Sequence, residues 1–125
     1  MVKIDQTYQA SLANFYTGQK KYDKAFALFE EALKKNPDDY VAIYQLGKAS
    51  AVSGLKLDRG EECLKKYLAH QPGVNEPSLA GANMRMGQIK EKRGNKPEAK
   101  KYFETALKLD GSLKEAKEGL DRSSK

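Results

Sequence analysis

An all-α solenoid of three antiparallel helix pairs closed by a short seventh helix is the fold this sequence predicts, on three observations. Seven positions recur at fixed offsets: Leu12, Ala13, Tyr16, Ala25, Phe29, Ala32 and Pro37 are answered by Met86, Gly87, Lys90, Ala99, Phe103, Ala106 and Gly111 with the same gaps. A middle copy, Leu46, Gly47, Ser50, Gly60, Leu64, Tyr67 and Pro72, carries one extra residue between its halves. Apolar spacing is helical nearly throughout, and Gly or Pro punctuates each expected helix end. A repeat of this period is the mark of stacked helical units that bury a continuous core between neighbours.

The first unit spans about residues 6–37. Tyr8, Leu12, Phe15 and Tyr16 share one helix face, with Asp5 as the expected cap and Gly18 as the expected terminator. Tyr22, Ala25, Phe26, Phe29, Ala32 and Leu33 form the second helix, stopped at Asn36-Pro37 because proline cannot continue the donor ladder. The second unit spans about 38–72 and breaks at Gly54. A connection at 73–77, rich in Gly and Pro, precedes the third unit at 78–111, which breaks at Gly94-Asn95. This connection is expected to offset the stacking of the third unit on the second. The closing helix covers 112–122, where Ser112-Leu113-Lys114-Glu115 reads as a capping box and Leu113, Ala116 and Leu120 make a narrow apolar stripe. Its role is to cover the last unit's core with a polar outer face.

Small residues at Ala13, Gly47 and Gly87 let paired helices approach, while Phe29, Leu64 and Phe103 fill the space between. In the middle unit Gly60 and Tyr67 replace two alanines, which predicts a local exchange of volume between them.

The 125 residues suit a single domain, 1–125. The 23 Lys and Arg against 17 Asp and Glu leave a net charge of +6, which reads first as a solubilising lysine-rich face. Cys63 is the only cysteine, so no internal disulfide forms and partial burial as a small hydrophobe is expected. No stretch approaches the roughly 18 apolar residues of a membrane span. If the chain is complete, the cytoplasm is the expected compartment.

With these residues in place, the chain resembles the tetratricopeptide repeat family over about residues 6–111. A Leu–Gly/Ala pair, an aromatic three residues on, then Ala, aromatic, Ala and a closing Pro recur in register. Ser50 and Lys90 depart from it at the aromatic position, and Gly111 at the proline. The resemblance implies a right-handed superhelix, no enzymatic activity, and a concave groove lined by the first helix of each unit. On helical geometry the groove floor comprises Thr7, Ala10, Ser11 and Asn14, then Val41, Tyr44, Gln45 and Lys48, then Gly81, Met84, Arg85 and Gln88. Some family members clamp the C-terminal carboxylate of heat-shock chaperones through a Lys/Asn pair, an Asn and a Lys/Arg pair. The corresponding residues here are Ala10 and Asn14, Gln45, and Gly81 and Arg85. Both lysines are missing, so most of the charge-assisted bonding is lost, with Lys48 a candidate substitute for one. Chaperone-tail binding is therefore not expected.

No Gly-rich phosphate loop, metal-ligand spacing or nucleophile–base pair is present, and no cofactor or metal is implied. Cys63 and His70 lie seven residues apart on the same expected helix, roughly 10 Å, too far to share an ion. Glu30-Glu31 and Glu61-Glu62 read as exposed pairs beside lysines. The expected activity is protein–protein scaffolding that holds a peptide or partner segment, preferably acidic, in a mildly basic groove. Lys48, Arg85 and Lys92 supply charge, Tyr44 and Met84 apolar contact, and Asn14, Gln45 and Gln88 backbone contacts. Self-association through the uncovered first helix, bearing Tyr8 and Phe15, is one alternative. Nucleic-acid binding is another, disfavoured by the dispersal of the lysines among glutamates.

Overall fold

The computed structural model describes residues 6–125, and the side chains of all of these except 6–8 and 10. The expected cap Asp5 and the groove candidates Thr7 and Ala10 thus lie outside the described residues or side chains. Seven helices and no strand occur among the described residues: α1 (Gln6–Gly18), α2 (Tyr22–Lys35), α3 (Tyr40–Ser53), α4 (Leu57–Leu68), α5 (Leu79–Lys92), α6 (Lys96–Leu109) and α7 (Lys114–Ser123). The fold is an all-α helical-repeat solenoid. Helices pack in consecutive pairs, and the first helices also form a row, with α3 against α1 and α5, and α5 against α7. That row positions the candidate groove residues.

Local chemistry accounts for most helix ends. Asp39 accepts from the Ala42 amide at 3.1 Å, Ser78 from Gly81 at 3.1 Å and Asn95 from Glu98 at 3.2 Å, each satisfying an otherwise orphaned first-turn donor. Gly54 (φ 77°) and Gly94 (φ 78°) close α3 and leave α5 in the left-handed region that favours glycine. In the first unit α1 ends at Gly18 as expected, but the left-handed turn falls on Lys20 (φ 60°) and not on the glycine. The middle unit's extra residue lengthens α3, which runs one residue further past Leu46 than α1 past Leu12 or α5 past Met86. The capping box expected at Ser112 does not form. Ser112 instead donates its hydroxyl and amide to Asp110 Oδ1 at 2.6 and 3.0 Å, and α7 begins at Lys114 without a side-chain cap. Asp110 outcompetes the capping geometry by turning the chain two residues earlier.

The repeated small residues mark close approaches. A Cβ on Gly47 would stand 2.7 Å from Leu64 Cδ2, and one on Gly87 would stand 2.8 Å from Phe103 Cε1. Leu64 and Phe103 have no exposed surface and fill those spaces. The expected exchange between Gly60 and Tyr67 resolves into two unrelated contacts. Gly60 admits Ser50, whose Cβ and Oγ a side chain would overlap, and Ser50 Oγ is shared between the carbonyls of Leu55 (2.7 Å) and Lys56 (3.0 Å). Tyr67, two turns further on, packs among Tyr40, Tyr44 and His70 and donates its hydroxyl to the Pro77 carbonyl.

That tyrosine starts a clasp across the 73–77 connection. His70 stacks on Tyr40 with ring centres 3.6 Å apart and pairs through Nε2 with Glu76 Oε1 at 2.8 Å. Glu76 Oε1 also accepts from the Gly73 amide at 2.7 Å, and this amide, then His70, holds the carboxyl below its ordinary value. The connection is tied down, and α5 stacks on α3 as α3 stacks on α1. His70 lies beyond the end of α4, not on the same helix as Cys63. Cys63 is 3% exposed, and burial pushes its thiol up to about 11, leaving it protonated and unreactive at neutral pH.

Glu30 and Glu61 are not free surface carboxylates. Arg59 donates Nε and Nη2 to Glu30 at 3.0 and 2.8 Å, joining α4 to α2. Lys90, at the usual aromatic position, pairs with Glu61 at 2.8 Å and Glu98 at 2.9 Å, joining α5 to α4 and α6. With side chains only 13% and 18% exposed, Lys90 and Glu61 form the most sheltered pair in the seam. The Lys90 hydrogen bond holds Glu61 below the ordinary 4.5, and Glu61, then Glu98, holds Lys90 above the ordinary 10.5. A lowered carboxyl contributes stability above its unfolded value and loses it as pH falls through the folded one. A raised lysine contributes below its unfolded value and loses it as pH rises through the folded one. The pair therefore stabilises fully between about pH 4.5 and 10.5. Chemical denaturation at pH 7 and pH 3 should show a smaller acid loss in Glu61→Gln than in wild type, and an equal loss would refute this contribution.

Candidate functional site: the first-helix groove

The repeat register places Ser11, Gln45 and Arg85 in one row, each preceding the recurrent Leu/Met, and Asn14, Lys48 and Gln88 in the next. Asn14 is exposed, while Gln45, Lys48 and Gln88 are half-buried. Arg85 is 8% exposed, yet its Nη1 donates to Gln88 Oε1 at 3.1 Å and to Glu115 Oε2 at 3.2 Å. Gln88 Nε2 donates to the same Glu115 oxygen at 3.1 Å. Two buried polar atoms here lack partners among the described residues, Gln45 Oε1 and Arg85 Nε. Lys48 forms no ion pair among the described residues. Burial, then the charge of Arg85, holds it below the ordinary lysine value, and Glu115 only partly offsets them. The candidate groove thus holds two cations close enough to repel, with one internal carboxylate paired to Arg85, an arrangement that an incoming anion would relieve.

Tyr44 and Met84 occupy the same register position in successive units, and the structure places both in the core. Tyr44 is 7% exposed with its ring 5.4 Å from that of Tyr67, and Met84 is 6% exposed among Ala99, Phe103, Ala106 and Ala116. The cause is the stacking itself: this edge of each first helix is covered by the next helix in the row. A Cβ on Gly81 would stand 3.0 Å from the Tyr44 hydroxyl, so Tyr44 fills the space a side chain at 81 would need. Lys92 lies at the far end of α5, its stem over Gly54. In the sequence Glu115 reads as part of a helix cap, Ser112-Leu113-Lys114-Glu115, and carries no mark of the groove. Its spacing of 30 residues from Arg85 carries no local signal.

Residues 7–49 and 80–118 each match the tetratricopeptide repeat family. The chain belongs to that family. Heat shock protein STI1 of Saccharomyces cerevisiae is 32% identical to this tetratricopeptide repeat protein over 108 residues, 82% of the chain but 17% of STI1. The chain therefore spans about a sixth of that relative's length. The first such domain of human RPAP3 superposes with a TM-score of 0.80 at 24% identity, over 97% of this chain and 91% of that one. The first domain of Spaghetti (RPAP3), bound to the HSP90 peptide SRMEEVD, gives 0.78 at 24% identity over 95% and 90%. The second human RPAP3 domain, in complex with the HSP70 peptide SGPTIEEVD, gives 0.75 at 21% over 97% and 99%.

Proposed function

We propose that this protein is a non-catalytic interaction scaffold whose groove, formed by α1, α3 and α5, holds an acidic peptide segment of a partner protein. The observation that carries this reading is the adjacency of Lys48 and Arg85 on neighbouring first helices, with Lys48 partly desolvated and unpaired among the described residues. Charge-assisted bonds from these two groups to carboxylates would recover what their burial costs. Asn14 and Gln45 would grip the peptide backbone, the latter through its unpartnered Oε1. The peptides bound by the RPAP3 domains are acidic, which supports this class of ligand. The two clamp lysines are absent here, and Tyr44 occupies the space at Gly81, so the cationic contacts would fall to Lys48 and Arg85.

Fluorescence anisotropy tests this with labelled SRMEEVD carrying an amidated C-terminus, an acidic probe that does not call on the missing carboxylate clamp. Lys48→Glu combined with Arg85→Glu should weaken binding at least about tenfold. Lys48→Glu alone, at a half-buried site, should account for a measurable part while preserving the helical circular dichroism. Unchanged affinity in both variants would refute this placement. A second reading, self-association through the first unit, is favoured by Phe15, which is 59% exposed and edge-on to Tyr16. Light scattering over a concentration series tests it, and a constant monomer mass would exclude it.

A further inference from the structure

Helix α7 does more than cover the apolar end of the third unit. It is held at its C-terminal half, where Gly119 lies against the Phe103 ring and Arg122 donates Nε and Nη2 to Glu91 at 2.6 and 2.9 Å. Its first turn packs Leu113 and Ala116 against the apolar cluster but has no side-chain cap, and the Glu115 side chain beside them is 56% exposed. This carboxylate nevertheless reaches Arg85, whose own side chain is 10% exposed, and is the one acidic group paired with it among the described residues. The contact is long for a charge-assisted bond, 3.2 Å against a usual 2.7–2.9 Å, and Arg85 Nη1 divides it with Gln88. Arg85 Nε has no partner among the described residues, so the guanidinium is not engaged as a two-point fork. A loosely held, solvent-reachable carboxylate on a sheltered arginine is the arrangement expected of a group that can be displaced.

We propose that Glu115 is an internal competitor for the groove: it occupies the Arg85 position in the free protein, and an acidic partner binds by displacing it. This rests on the acidic-segment reading above and adds its control. Because the competitor is a carboxylate, it raises the threshold for every acidic ligand and leaves neutral ones unaffected. The groove is thereby tuned toward partners that present more than one carboxylate, one replacing Glu115 at Arg85 and another meeting Lys48.

The test compares wild type with Glu115→Gln, a near-isosteric change at an exposed side chain. Each is titrated against the same labelled, C-terminally amidated SRMEEVD and against a neutral amidated analogue with Gln for the arginine and both glutamates and Asn for the aspartate. The expected result is about fivefold tighter binding of the acidic peptide by Glu115→Gln, the scale of one exposed ion pair removed from competition, with the neutral analogue unchanged. Equal affinity of the two proteins for the acidic peptide, or a gain shared by the neutral analogue, would overturn the competitor role and leave the groove reading standing. Binding by neither protein would overturn the groove reading and the competitor with it. Binding by Glu115→Gln alone would support both.

Discussion

Tyr67→Ala is expected to lower the melting temperature by more than about 10 °C. The ring has no exposed surface and lies at the meeting point of Tyr40, Tyr44 and His70, so its removal leaves a cavity bounded by three rigid rings that cannot collapse inward. Aromatic-to-alanine changes at such sites cost about 3–5 kcal/mol. The hydroxyl adds to this because it is the donor to the Pro77 carbonyl, which anchors the connection between the second and third units. Burial also pushes the phenol up to about 12, so that bond keeps its proton throughout the physiological range. Tyr67→Phe separates the two effects: it retains the ring and should cost about 1 kcal/mol, the usual worth of one hydrogen bond. Thermal melts by circular dichroism rank the three proteins. A Tyr67→Ala melt within a few degrees of wild type would mean that the cavity is absorbed.

Gly119→Leu should release α7 from the array. A Cβ at this position would stand 2.6 Å from Phe103 Cε1 and Cε2, and a leucine places three further carbons into the same ring. Gly87 brings the backbone of α5 up to Phe103 from another side, where a Cβ would stand 2.8 Å from Cε1, so the ring has little room to turn away. Overpacking of this kind costs about 1–3 kcal/mol. The gain in helix propensity on replacing glycine is smaller, below about 1 kcal/mol, and does not offset it. Undocking α7 uncovers Phe103 and Ala116, both without exposed surface in the native state, and withdraws Glu115 from Arg85. Limited proteolysis between 110 and 124 should therefore be faster than in wild type, together with a lower melting temperature. Unchanged cleavage would show that the ring yields instead.

Much of the scaffold was legible because the repeated positions are those where helices touch. A small residue facing a large one, as with Gly47 and Leu64 or Gly87 and Phe103, leaves a trace in every unit at a spacing that shifts only by the middle unit's extra residue. The ends were legible at Gly18, Gly54 and Gly94, although in the first unit Lys20, and not the glycine, takes the left-handed turn. The Ser112 motif misled because a capping box and a turn closed by Asp110 use the same residue types, and only the backbone decides between them. The groove was partly legible. Helical geometry placed Gln45, Lys48, Arg85 and Gln88 on one face, but it treated each helix alone and so left Tyr44 and Met84 open where the next helix covers them. Lys90 carried an unused signal: a cation where the pattern calls for an aromatic demands a carboxylate nearby, and Glu61 and Glu98 supply it.

Helix α5 belongs to two cores at once. Ala82, Met86 and Ile89 pack with the first and second units, whereas Met84 packs with α6 and α7. Nearly every side of this helix is consequently buried, including the side that carries Arg85. In a linear array each unit can in principle melt alone, and only the strength of its junctions prevents it. A helix shared between both halves makes such fraying costly, because losing the third unit would strip the second of part of its own interior. The candidate binding residues Arg85 and Gln88 are thus set in the segment where the array's cooperativity is concentrated, and their arrangement persists for as long as the whole chain stays folded.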